Sequence, residues 1–79
     1  MTIQEVRELC RIVRASTNSD RIQSAMVVAV GYIQSNTSRV TLAWVTAMLR
    51  DLASYADSYD DPDNARNLRR AAEALSKEL

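Results

Sequence analysis

Arg7, Arg11 and Arg14 recur at intervals of four and three residues, which stacks them on one face of a helix. A ridge of three guanidinium groups suits phosphates or an acidic partner, because each presents paired N–H donors to an oxyanion. Glu5 and Glu8 stand on neighbouring positions and weaken that field. The same ridge also serves as a solvated face whose aliphatic stems cover the edge of a core. A second set of reactive types is acidic: Asp57, Asp60, Asp61 and Asp63. A calcium loop of the EF-hand type needs oxygen ligands at alternate positions, glycine at the sixth and glutamate at the twelfth. Counting from Asp61, those places fall on Ala65 (fifth), Arg66 (sixth) and Ala72 (twelfth), so the pattern fails and helix capping accounts for the acids. Cys10 lies among core-facing positions and reads as a small buried hydrophobe rather than a nucleophile.

No histidine occurs in the 79 residues, and glycine, proline and cysteine occur once each. Ser-His-Asp and Cys-His nucleophiles are therefore excluded, and so are zinc sites built on cysteine and histidine. Gly31 alone cannot make a phosphate-cradling loop, which needs several close backbone approaches. Only carboxylates and tyrosines are left to carry catalysis, so the expectation is a non-enzymatic protein with no cofactor and no metal. Recognition has better material in Trp44, Met48, Tyr55 and Tyr59, which lie along one flank of a helix. Trp and Tyr combine large apolar area with a polar tip and are enriched at binding hot spots. A chain of this size also needs its large side chains for its own core, so the flank has two competing uses.

Ten basic residues balance ten acidic ones, and no global field favours nucleic acid or an anionic membrane. Every basic residue except Lys77 is arginine, which fits phosphate or carboxylate recognition and fits equally the codon bias of a GC-rich genome. The longest apolar run, Ala25 to Ile33 with Gly31 and Tyr32 inside it, is too short to span a bilayer. The opening residues are acidic as well as apolar, unlike a secretion signal, and a lone cysteine fits a reducing compartment. A cytoplasmic protein without membrane attachment is expected.

These residues have to be positioned by helices. Thr2-Ile3-Gln4-Glu5 matches the reciprocal capping box, and Ile3, Val6, Leu9, Cys10 and Val13 follow at helical spacing. The polar run Ala15–Ser19 reads as a loop, with Asn18 or Ser19 capping a second helix in which Ile22, Ala25, Met26, Ala29, Val30 and Ile33 lie on one side. Val28 and Tyr32 widen that face. Met26–Val30 is β-branched enough for a strand, but a lone strand has no partner here. Gln34–Ser38 is the next loop, and Thr37 or Ser38 caps a third helix running to about Tyr59. Its aliphatic flank is Leu42, Val45, Leu49, Leu52, Ala53 and Ala56, opposite the aromatic one. Asp61-Pro62-Asp63 marks a fourth helix start, since Pro62 at the first helical position has no intrahelical N–H bond to lose. Ala65, Leu68, Ala71, Ala72, Leu75 and Leu79 then form a narrow stripe, with Arg66, Arg70 and Lys77 pointing away.

The chain is thus expected to be a single all-α domain over residues 1–79, a small four-helix bundle with a C-terminal antiparallel helical hairpin and helices 2 and 3 at its centre. Leu52–Ala72 is similar to a tetratricopeptide hairpin, yet Arg69 stands where the aromatic of the second helix belongs and no second repeat exists, so it defines no family. A helix-turn-helix built on residues 20–35 and 38–59 would put Trp44, Val45 and Leu42 where base-reading polar residues belong. The expected role is that of a regulator or inhibitor, of the small accessory or phage type, that binds a protein partner by surface complementarity through Trp44, Met48, Tyr55 and Tyr59. A dimeric DNA- or nucleotide-binding regulator using Arg7, Arg11 and Arg14 is the alternative. Small cores below about 70–80 residues rarely yield more than about 3–5 kcal/mol. A two-fold homodimer through the aromatic flank or the exposed edge of helix 2 is therefore expected to recover apolar area.

Overall fold

The computed structural model describes residues 1–35 and 37–79, and they form four α-helices: α1 (Ile3–Ser16), α2 (Asp20–Ser35), α3 (Arg39–Ser58) and α4 (Pro62–Ser76). Asn36, inside the predicted Gln34–Ser38 loop, lies outside the described residues. Each helix start has a local cause. Thr2 and Glu5 complete the capping box: the Glu5 N–H donates to Thr2 Oγ1 at 3.2 Å, and the Thr2 N–H donates to Glu5 Oε1 at 3.1 Å. That bond from the Thr2 N–H lowers the Glu5 carboxyl below its usual range. Ser19 Oγ accepts from the Ile22 N–H, and Ser38 Oγ accepts from the Thr41 N–H. Met26–Tyr32 is helical throughout, which settles the strand alternative.

The turn between α3 and α4 closes through two reversed hydrogen bonds. The Asp61 N–H donates to Ala56 O at 2.9 Å and the Asp60 N–H to Asp57 O at 3.2 Å, the Schellman pattern. Asp60 takes the left-handed conformation this requires, with φ 60°. Pro62 opens α4 as expected, but the Asp61 side chain does not cap the backbone. It accepts instead from Asn64 Nδ2 at 2.8 Å, while Asn64 Oδ1 accepts from Ser16 Oγ at 2.8 Å, tying the end of α1 to the start of α4.

Among the described residues the helices pack as a ring: α1 against α2 and α4, and α3 against α2 and α4. Cross-helix pairs give the directions. Asp57 meets Arg69 and Arg50 meets Glu73, so α3 and α4 are antiparallel; Ser16 with Asn64 sets α1 against α4 in the same sense. No helix is central, contrary to the expectation for α2 and α3, and the α3–α4 contact is the most extensive while α2–α3 is the least. Side-chain size explains the order. Ala53, Ala56, Ala65 and Ala72 are all buried and let α3 and α4 approach closely, whereas larger side chains stand between α2 and α3.

Every aliphatic position named for α3 is buried, as are Val6, Cys10 and Val13 of α1 and Ile22, Met26, Ala29 and Ile33 of α2. Leu79 lies beyond α4 and is exposed, so it is not part of the stripe. Four polar residues not foreseen in the core, Thr17, Ser19, Thr46 and Asn64, are buried with hydrogen-bond partners, local for the first three and both local and distant for Asn64; Thr46 Oγ1, for example, donates to Leu42 O at 2.7 Å. Among the described residues no buried side-chain N or O lacks a hydrogen bond. Gly31 sits within α2 with an ordinary helical φ, and a Cβ built there meets nothing within 4 Å. Relative to alanine it costs about 0.5–1 kcal/mol, and no contact inside the chain calls for it.

Leu49→Ala, at the fully buried centre of α3, is expected to cost about 2–5 kcal/mol, comparable to the whole stability of a chain this size, so that thermal melts by circular dichroism show a largely unfolded population at 25 °C. The Arg69 guanidinium bonded to Asp57 holds that carboxyl below its ordinary range. Its share of stability is therefore present above the ordinary aspartate range and is lost as pH falls through the lowered folded value. Asp57→Asn should lower the melting temperature slightly at neutral pH and flatten its decline on acidification, since the pair is solvent-exposed and modest in strength.

Candidate partner-binding surface

Positions 44, 48 and 55 repeat at intervals of four and seven, which aligns them on one side of α3. That side faces α2. The Tyr32 ring meets Trp44 edge-on, with centroids 4.9 Å apart and planes at 61°. About three turns away, the Arg21 guanidinium lies 4.7 Å from the Tyr55 ring centroid, and Tyr55 stacks at a tilt on Tyr59 with centroids 5.8 Å apart. Contacts at both ends show that α2 and α3 run alongside one another, not at the steep angle of a helix-turn-helix.

The four residues of the predicted flank divide by depth. Met48 and Tyr55 pack against the core and are only partly exposed, whereas Trp44 is 49% and Tyr59 48% exposed. Trp44 closes one end of a shallow recess whose other walls are Arg21, Ala47, Met48, Asp51 and Leu52. Val28 and Tyr32 of α2 and Val40 of α3 add exposed apolar surface near it. Val28 and Tyr32 were legible as a widening of the helix 2 face. Val40 stands four residues before Trp44 and eight before Met48, and that period was the signal that could have placed it on this flank.

The basic ridge is assembled as its spacing requires but is largely occupied. Arg7 donates to Gln4 and Arg11 to Glu8, each within its own helix. Arg14 makes no hydrogen bond or ion pair among the described residues, and it lines a recess with Arg11, Ala15 and Gln23 where α1 borders α2. Cys10 is buried, and that burial pushes its thiol up to about 11, so almost none is thiolate at neutral pH. The aspartates have structural duties: Asp57 pairs with Arg69, Asp61 with Asn64 and Asp63 with Arg66. Among the described residues no three cysteine or carboxylate side chains gather at metal-binding distance, and no helix is long and apolar enough to cross a membrane.

No protein-family model, curated protein or solved structure matches the chain.

Trp44→Ala should cost about 1 kcal/mol, the size of an aromatic pair term, and so much less than Leu49→Ala; matched chemical melts of the two variants give the comparison.

Proposed function

We propose that the chain is a non-enzymatic protein-binding regulator or inhibitor that docks a protein partner on the α2–α3 face, with Trp44 as its anchor. The observation that carries this reading is the half-exposed Tyr32–Trp44 pair standing outside a core that is already closed. Leu42, Val45, Leu49, Leu52 and Ile33 fill the interior without it. A rigid ring pair offers large apolar area at small entropic cost, and Arg21 and Asp51 at the recess supply a polar rim. Met48 lines the recess beside the anchor, and the tilted pair of Tyr55 and Tyr59 extends the surface towards the α3–α4 turn.

A second reading rests on Arg14, whose charge is uncommitted, together with Arg7 and Arg11: a dimeric DNA- or nucleotide-binding regulator. The two readings differ in their response to salt. Three phosphate contacts would lose about 40-fold in affinity between about 50 and 200 mM salt by counterion release, whereas an apolar interface loses little. Affinity capture from the native cell with the wild type, Trp44→Ala and Arg14→Glu separates them. The expected result is a protein partner retained across that salt range, lost with Trp44→Ala and kept with Arg14→Glu. Capture of nucleic acid that falls away with salt and with Arg14→Glu would replace the first reading by the second.

A further inference from the structure

The outward face of α2 differs from those of the other helices. Glu8 and Arg11 project from α1, Arg50 and Asp51 from α3, and Arg70 and Glu73 from α4, whereas α2 carries no charged residue from Ile22 to Ser35. Its exposed positions there include Ser24, Val27, Val28, Gly31, Tyr32 and Ser35. Ser24, Gly31 and Ser35 form a low ridge about 16 Å long, with Val27 on one side and Val28 and Tyr32 on the other. Val27 is 51%, Val28 44% and Tyr32 48% exposed.

We propose that this face is a homodimer seam, in which α2 of a second copy of the chain crosses α2 at Gly31. Two observations favour a second copy over a foreign protein. A two-fold interface sets a surface against itself, so any charged patch meets its own sign unless it is balanced; a charge-free face escapes that repulsion and offers a charged stranger nothing to pair with. Gly31 is the second: its missing side chain answers no contact and no backbone strain inside the chain, and a bare point on a helix lets another backbone come close. The seam shares Tyr32 with the partner-binding face, so the two occupants compete for that ring; the seam does not depend on the partner-binding reading, and its test uses the purified chain alone.

Sedimentation equilibrium over a concentration series is expected to show a mass twice 8.8 kDa at the upper end. Gly31→Arg should weaken association at least about tenfold with an unchanged far-ultraviolet helix signal, because the new side chain enters open space in the monomer. Gly31→Ala should raise the melting temperature of the dilute monomer while weakening association. If Gly31→Arg disturbs the helix, Ser24→Arg on the same ridge decides in the same terms. A mass of 8.8 kDa at millimolar concentration overturns the proposal, and so does a dimer whose affinity is unaffected by these substitutions.

Discussion

The close approach of α3 and α4 governs the rest of this bundle. Ala53, Ala56, Ala65 and Ala72 put almost no side-chain bulk between the two backbones, and each is buried to 1% exposure or less. A chain of 79 residues has few large side chains with which to fill a core, and close packing of helices recovers by proximity the dispersion contacts that rings supply elsewhere. The Asp57–Arg69 and Arg50–Glu73 pairs then border this contact at the surface, where their solvent exposure leaves them a minor share of its strength. Leu49 and Leu68 fill what the alanines leave open.

The opposite side of the ring follows from that choice. With the small residues committed to α3–α4, the bulky ones fall between α2 and α3, and Tyr32, Trp44, Met48 and Tyr55 keep those helices further apart. Rings placed as spacers are buried on one edge and wet on the other. The proposed binding surface is therefore a by-product of the packing scheme, because the side chains that close the groove are the ones left half-exposed. Arg21, over the ring of Tyr55, holds the lower end of that groove by a contact worth about 0.5–1 kcal/mol at an exposed site.

Most of the fold was legible in the sequence because its signals are local. The Thr2–Glu5 box, the Ser38 cap and Pro62 each act within one helical turn, and the structure places helix starts at all three. The aliphatic flank of α3 was legible because its period matches the helix from Leu42 to Ala56. What was hidden depends on which helices become neighbours. The buried Asn64 illustrates this: its partner Ser16 is 48 residues away, so no window of sequence could show that a polar residue there is satisfied. The depth of the aromatic flank was hidden for the same reason, since only the position of α2 decides that Met48 and Tyr55 are covered while Trp44 and Tyr59 remain wet. Asp61 shows a subtler limit, where the cap position was right but its carboxylate was claimed by Asn64.

The Schellman turn at Asp60 bears on the order in which the molecule assembles. Its reversed hydrogen bonds join residues three to five apart and bring α3 and α4 side by side at the entropic expense of closing a very short loop. The most extensive interface of the molecule is thus one that a three-residue connection closes, as is the α1–α2 interface. By contrast, α1 reaches α4 only after the chain has closed a circuit of about fifty residues, with Ser16 and Asn64 at its ends. Both pairs joined by short turns, α1–α2 and α3–α4, can therefore form before that circuit closes. The left-handed backbone of Asp60 is a place where glycine would fit with less strain, so the turn that closes this hairpin holds its reversed hydrogen bonds against a local backbone strain.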